Sequence, residues 1–291
     1  MRKEKSGGFI VFLAVMFISL VLFPFRNVSV TATAEDELLP SQRILTVVMY
    51  HSVMKGRNGK YVISPAAFES DVKELLSRGY ETVFPSEIVR FAEHGGPLPK
   101  KPLLITFDDG HYNNAHYCKP ILEKYGCKAV VNIVGSYCDY AATSGEPINA
   151  SYSYFNWEQI KELNDGATFE IGNHSYDMHN KSPRFGITRM SGESDAHYKA
   201  ALTKDIMKLQ NKLTADCGVT PVCFAYPFGS YSKFAREALA EMGFKLILNC
   251  EERRNLISEG DSGVLLNVCR FNRDAFISTQ SFFEKMERSR Y

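Results

Sequence analysis

The seven cysteines of this 291-residue chain include no Cys-x-x-Cys pair, so a zinc-ribbon organisation is excluded. Their odd number leaves at least one thiol unpaired within a monomer. The expectation is mostly buried free thiols, with one or two disulfides left open. A basic excess is also lacking: 34 Lys and Arg stand against 33 Asp and Glu. Residues 1–34 hold four of those bases and one of those acids, so the remainder carries a net charge of −2. That balance argues against a nucleic-acid partner. Tryptophan occurs once, at Trp157; no histidine follows His197, and there is no internal repeat or low-complexity segment.

One long hydrophobic run is present, Phe9 to Phe25. Arg2, Lys3 and Lys5 precede it, and Ala32-Thr33-Ala34 offers a small-x-small cleavage site after it. This is the order of a secretory signal peptide. At 17 residues the run is near the shortest that spans a bilayer, so an uncleaved membrane anchor stays open. Either way the leading positive charges predict that the rest of the chain lies outside the cytoplasm. The expected organisation is a leader over 1–34, a polar linker over 35–43 and one domain over 44–291.

From Ile44 onward strand-like and helix-like segments alternate. Strands are expected at Ile44–Tyr50, Glu81–Val83, Pro102–Phe107, Lys128–Val134, Thr168–Ile171, Val222–Ala225 and Lys245–Leu248. Ser64-Pro65 opens one helix, with Ser as N-cap and Pro in the first turn, and Gly79 closes it. Further helices are expected at Ser86–His94, Asn114–Tyr125, from the capping box Asn156-Trp157-Glu158-Gln159, over 195–215, and at Phe234–Met242 and Ser278–Arg288. The Tyr-rich stretch 136–155 and residues 181–194 are expected to be loop. This rhythm predicts an α/β fold with a parallel sheet, open or closed into a barrel, whose functional residues lie at strand C-termini.

Two strand ends carry the chemistry. Ile105-Thr106-Phe107-Asp108-Asp109-Gly110 ends an apolar strand in adjacent carboxylates, whose side chains diverge. His174-Ser175-Tyr176-Asp177-Met178-His179 ends another in two imidazoles, which one helical turn over 175–178 would bring to one ion. Either element alone is commonplace. Together they supply two imidazoles and a carboxylate for a divalent metal with open positions, and a spare carboxylate for proton transfer. Tyr226-Pro227-Phe228, in Ala225-Tyr226-Pro227-Phe228-Gly229, follows a third strand, and the Phe228 N–H is a candidate oxyanion donor. His51 follows the first strand. His94, His111, His116 and His197 are taken as surface or structural, with His111 able to line the cleft. Tyr137, Tyr140, Tyr152, Tyr154 and Trp157 are aromatic candidates to stack on a substrate.

The Thr106–Gly110 and His174–His179 segments resemble the first two motifs of the polysaccharide deacetylases, the NodB-homology or carbohydrate esterase 4 family, over about 44–275. The resemblance implies a distorted (β/α) barrel in a single domain and hydrolysis of N-acetyl groups on amino sugars. It implies Asp109, His174 and His179 as metal ligands, for Zn²⁺ with Co²⁺ or Ni²⁺ as alternatives, and Asp108 as general base. An acetylated amino-sugar polysaccharide of a cell wall or exopolysaccharide is the implied partner.

Two departures stand out. Ala225 occupies the place where the family often has an arginine bracing the catalytic carboxylate, so Arg270 or Arg273 is the candidate replacement. The family's C-terminal histidine is missing, and Met49-Tyr50-His51-Ser52 resembles the rearranged branch of exported poly-N-acetylglucosamine deacetylases, which makes His51 the candidate general acid. The alternatives are an O-acetyl esterase on xylan-like glycans and a non-catalytic glycan-binding protein of the same fold; the missing arginine supports the latter.

Overall fold

The computed structural model describes residues 38–291, so the expected leader lies outside the described residues. Among those residues no helix is long and apolar enough to cross a membrane. The strands are β1 (Gln42–Tyr50), β2 (Ser52–Val53), β3 (Val62–Ile63), β4 (Glu81–Thr82), β5 (Pro102–Phe107), β6 (Ala129–Ile133), β7 (Phe169–Asn173), β8 (Cys223–Ala225), β9 (Leu246–Leu248), β10 (Asn255–Ser258) and β11 (Phe271–Asn272). The helices are α1 (Pro65–Ser77), α2 (Pro85–His94), α3 (Lys119–Tyr125), α4 (Gly135–Thr143), α5 (Trp157–Leu163), α6 (Asp195–Cys217), α7 (Lys233–Glu241) and α8 (Thr279–Arg288).

The main sheet runs β10-β1-β5-β6-β7-β8-β9, parallel throughout except for β10, which lies antiparallel on β1. Val268 bridges to Leu248 beside β9, and β11 pairs in parallel with β1. Residues 268–272 therefore join the last parallel strand to the first, and the sheet curls into a distorted barrel. The central strands β5, β6, β8 and β9 are nearly continuous in apolar residues because both of their faces are covered; all six residues of β5 are buried.

Alternation along the strands separates two environments. Leu45 and Val47, Leu104, Val130, Cys223 and Ala225, Leu246 and Leu248, and Val268 share the inner cluster with α2. Val48 and Tyr50, Leu103, Ile105 and Phe107, and Val131 and Ile133 pack outward with α1, α5 and α8. The inward rows continue to Thr106 on β5 and Asp108 just past its end, to Asn132 on β6 and to Arg270 beyond Val268. The same period of two that builds the core thus delivers polar side chains to the barrel mouth.

Most expected elements form within a residue or two of their anticipated bounds. The stretch expected to be loop over 136–155 instead opens with α4. Propensity alone is weak there, and tertiary contacts decide it. Cys138 is buried, Asp139 accepts hydrogen bonds from Trp157 Nε1 (3.0 Å) and from the Tyr176 hydroxyl, and a Cβ on Gly135 would meet the Tyr176 ring at 2.4 Å. β1 begins at Gln42, inside the expected linker, because Gln42 pairs with Ser258 of β10. The helix expected from Asn114 opens as a π-helical turn over Asn114–Cys118 before α3. All seven cysteines are free thiols, six of them buried.

Candidate active site and metal centre

Asp108 is buried at the end of the β5 inward row. Its Oδ1 accepts hydrogen bonds from Arg270 Nη1 (2.9 Å) and from Asn132 Nδ2 (2.7 Å). Arg270 is itself fully buried and donates from Nε to the Asn249 carbonyl (2.9 Å) and from Nη1 to Thr106 Oγ1 (3.2 Å). Burial pushes the Asp108 carboxyl up, but the Arg270 guanidinium, with smaller help from His174 and His51, holds it at about 2. Asn132 reaches Asp108 because its neighbour on β7 is glycine: a Cβ on Gly172 would lie 2.0 Å from Asn132 Oδ1.

Arg273, the other candidate to replace the missing arginine, points elsewhere. It forks onto Asp71 of α1 (2.8 and 3.1 Å), which also accepts from the Tyr50 and Thr279 hydroxyls (3.2 and 2.6 Å). Arg270 is on the inward row, whereas Arg273 lies beyond β11, so only Arg270 reaches the mouth.

Asp109, His174 and His179 bring one ligand atom each within 4.8 Å of one another. His174 Nε2 and His179 Nε2 lie 3.6 and 3.2 Å from Asp109 Oδ1. Two donors each bound to one Zn²⁺ at about 2.1 Å in tetrahedral geometry stand about 3.4 Å apart, so these spacings suit a shared ion. His174 Nδ1 lies 2.7 Å from the Ala225 carbonyl, to which it can only donate, which fixes the tautomer whose ligand nitrogen is Nε2, on the side of Asp109. Burial, reinforced by His174, pushes His179 down to about 4, so His179 is neutral at pH 7. Asp109 Oδ1 is buried without a hydrogen-bond partner. An orphaned carboxylate oxygen facing two imidazole Nε2 atoms fits a divalent cation. Burial pushes the Asp109 carboxyl up, yet His111 and the other imidazoles hold it well below its ordinary value.

The expected helical turn between the two histidines does not form. Residues 174–179 make an irregular bend with Ser175 at φ 71°. Its backbone is held from outside: Asp205 of α6 accepts from the Tyr176 and Asp177 N–H groups (2.8 and 2.9 Å), and Asn173 Oδ1 accepts from Ser175 N–H (2.9 Å). The non-glycine residues with positive φ among the described residues are Asp109, Ser175 and Phe228, and all three belong to this site. Strained backbone of this kind persists where surrounding structure over-determines it.

His51 stands at the end of β1, beside Asp108, whose N–H donates to the Tyr50 carbonyl (3.0 Å). Its ring packs on Tyr61 at 4.6 Å, and its Nδ1 is buried without a partner. Burial lowers its affinity for a proton against the opposing pull of Asp109 and Asp108. Phe228, at φ 56°, places its ring between His179 (4.4 Å) and Phe185 (4.9 Å). The neighbouring N–H groups of Gly229 and Ser230 close back on Tyr226 and Pro227, whereas that of Phe228 is given to no acceptor in the turn. Pro227 is buried beneath this turn. Tyr226 is fully buried against Phe224 and Tyr231, so its side chain packs in the core and does not face the mouth.

Several contributors have no local sequence signal. His111 places Nε2 3.5 Å from Asp109 Oδ2, and only its position after Asp-Asp-Gly hinted at this. The Tyr137 hydroxyl lies 3.1 Å from His179 Nδ1. Asn113 and Asn114 bind the segment after β1, through Asn113 Oδ1 to Val53 N–H (3.0 Å) and Asn114 Nδ2 to the His51 carbonyl (2.8 Å).

One carboxylate and two imidazoles placed to hold a divalent cation, beside a spare, arginine-held carboxylate at the C-terminal mouth of a (β/α) barrel, are the equipment a metal-assisted hydrolase uses. Comparison with known proteins narrows that class. A sequence model of polysaccharide deacetylases matches residues 95–247, more than half of the chain, which therefore belongs to the polysaccharide deacetylase family. The poly-β-1,6-N-acetyl-D-glucosamine N-deacetylase of Escherichia coli K12 is 25% identical over 223 residues, covering 69% of this chain and 32% of that protein. The enzyme of the same name from Staphylococcus aureus MRSA252 is 26% identical over 196 residues, covering 66% of this chain and 62% of its own. The chain thus spans about a third of the length of the first relative and under two thirds of the second. The solved structure of IcaB from Ammonifex degensii shares the fold, with a TM-score of 0.66 at 24% identity over 84% of this chain and 95% of that one.

Proposed function

We propose that this chain is an exported, metal-dependent N-deacetylase that removes acetyl groups from N-acetylglucosamine residues of a cell-wall or exopolysaccharide polymer. One observation carries the reading. The adjacent carboxylates are divided between two environments, Asp109 with the two imidazoles and Asp108 with Arg270 and Asn132. Two carboxylates with different partners are suited to two roles, one as ligand and one as base.

Asp109, His174 and His179 would hold the ion, with Zn²⁺ the first candidate by ligand type. Such an ion supplies Lewis acidity, which polarises an acyl oxygen and acidifies a water. Asp108 accepts the proton of the attacking water; Arg270 keeps it ionised and Asn132 fixes its orientation. The Phe228 N–H donates to the oxygen that gains charge as the acyl carbon becomes tetrahedral. His51 delivers a proton to the departing amine, and its lowered proton affinity makes the imidazolium a stronger donor. Acetate and a glucosamine residue result. The leader over 1–34 and the substrates in the relatives' names support an exported polymer as the target. Ala225 favoured a non-catalytic protein only while the carboxylate had no cation, and Arg270 now stands beside it.

The test is product analysis. A β-1,6-linked N-acetylglucosamine oligomer and an O-acetylated xylan oligomer are each incubated with the Zn²⁺-loaded protein. Acetate together with a free amine from the first, and little from the second, supports the proposal. Acetate from xylan alone overturns it in favour of the esterase.

A further inference from the structure

The chain that leaves His179 comes back to the site at Phe185. Residues 180–193, on the way from β7 to α6, form no helix or strand, yet they are fastened from within. Arg184 forks onto Glu193 (3.0 and 2.6 Å) and donates to the Thr188 carbonyl (2.6 Å). Ile187 is fully buried, and its carbonyl accepts from the Tyr198 hydroxyl of α6 (2.6 Å). The Gly186 N–H donates to the Asn180 carbonyl (2.8 Å), which closes the segment on itself.

The tip of this strap bears on the Phe228 turn. The Phe185 ring stacks on that of Phe228 (4.9 Å), which in turn lies 4.4 Å from the His179 ring. At Gly186, φ 55°, a Cβ would stand 2.7 Å from Ser230 Oγ and 2.8 Å from the Pro227 carbonyl oxygen. A hydroxyl can rotate away, but the carbonyl belongs to the backbone of the turn, so a side chain here must displace it. Gly229 brings the turn equally close to Cys250: a Cβ there would meet Cys250 Cβ at 2.6 Å. Beyond the turn lies an open cavity of about 200 Å³, bordered by Ile187, Tyr198, Ser230 and Phe234. The turn is thus gripped at Gly186 and Gly229 and is not backed by packed core where the cavity lies. Left-handed backbone at a bulky residue such as Phe228 persists only where its neighbours hold it.

We propose that residues 180–193 are a positioning strap for the oxyanion donor: Phe185 and Gly186 hold Phe228 in the left-handed conformation that leaves its N–H free of the turn's own carbonyls. The proposal rests on the deacetylase reading above, in which that N–H meets the developing oxyanion. Phe185 and Gly186 act through Phe228 and not on the substrate. The strap starts at His179, so one stretch of chain spaces a metal-ligand candidate from the donor. An oxyanion donor matters most in the transition state, so a misplaced turn lowers kcat more than it raises KM.

The experiment measures kcat and KM of the full chain on an N-acetylglucosamine oligomer, and Zn²⁺ affinity by chelator competition. The variants are Gly186→Ala, Phe185→Ala, Phe185→Leu and Gly192→Ala. Gly192 lies in the same strap at φ 75°, where a Cβ would meet nothing within 4 Å, so its variant carries the backbone cost without the contact. Gly186→Ala is expected to lower kcat about 10- to 100-fold, with KM and Zn²⁺ affinity within about threefold of wild type. Phe185→Ala should lower kcat about five- to tenfold, and Phe185→Leu, which keeps an apolar contact, should recover most of it. Gly192→Ala should match the wild type. If Gly186→Ala does not fold, Phe185→Ala against Phe185→Leu carries the comparison. An active wild type whose kcat is unchanged in Gly186→Ala and Phe185→Ala, or falls equally in Gly192→Ala, overturns the strap and leaves the deacetylase reading standing. A loss confined to KM or to Zn²⁺ affinity overturns the strap as well. A wild type inactive on the oligomer overturns both.

Discussion

Replacing Arg270 by methionine removes the cation from Asp108 while keeping most of the side-chain volume. Both partners are buried, and the Arg270 Nη1 to Asp108 Oδ1 distance is 2.9 Å. Removing one member of a buried pair costs about 3–5 kcal/mol, because the other charge is left uncompensated. At about 1.4 kcal/mol per pKa unit, that corresponds to a rise of two to three and a half units for Asp108. Its carboxyl would move from about 2 to between roughly 4 and 6. The wild-type carboxyl lies below its unfolded value, so it adds stability above about pH 4, lost as pH falls through about 2. In Arg270→Met the sign reverses: the fold is penalised at neutral pH and relieved on acidification. The assay pairs thermal melting at pH 4 and pH 7 with the rate of acetate release across that range. The variant should melt well below wild type at pH 7, with a smaller gap at pH 4, and the acid limb of its rate profile should move upward. Equal melting gaps at both pH values, with an unmoved acid limb, refute the assignment of Arg270 as the group that keeps Asp108 ionised.

Three further perturbations probe other contacts. His51→Ala should reduce kcat on the sugar amide about 10²- to 10⁴-fold but spare an activated aryl acetate, whose leaving group needs no proton; an equal loss on both substrates argues against an acid role. Asp205→Asn removes part of the carboxylate that holds the Tyr176 and Asp177 N–H groups, so Zn²⁺ affinity measured by chelator competition should weaken about 10- to 100-fold, and an unchanged affinity removes Asp205 from the support of the histidine loop. Gly172→Ala drives a Cβ into Asn132 Oδ1 and should destabilise the fold by about 1–3 kcal/mol in denaturant titration, with slower turnover; wild-type stability and rate contradict the proposed fit.

Much of the site was legible because its residues lie at the ends of apolar strands, where a parallel α/β fold gathers them. Asp108, Asp109, His174 and His179 needed no tertiary information to be singled out, and the family resemblance sorted the two carboxylates. The sequence narrowed the missing cation to Arg270 or Arg273, three residues apart, but could not choose between them. The choice depends on which residue continues the inward row through Val268, and that follows only from the pairing of β11 with β1. His111, Tyr137, Asn132 and Asp205 were overlooked as contributors to the metal and base groups for a related reason. Each acts through a contact between elements that are separate in sequence or, for His111, through a turn geometry that spacing does not reveal. α4 was hidden by a tyrosine-rich, polar composition and is stabilised by Trp157 and Tyr176, which lie on later elements. The left-handed backbone at Phe228 was equally invisible, since that residue type does not announce it, whereas at Asp109 the residue type is one enriched there.

The division of labour between Asp109 and Asp108 is tested most directly by measuring Zn²⁺ stoichiometry and acetate release together, on an N-acetylglucosamine oligomer, for the wild type, Asp108→Asn and Asp109→Asn. The account predicts one tightly bound Zn²⁺ and metal-dependent acetate release in the wild type, retained metal with abolished release in Asp108→Asn, and loss of both in Asp109→Asn. Metal lost with Asp108→Asn and kept with Asp109→Asn, or acetate release that persists in Asp108→Asn, would contradict it.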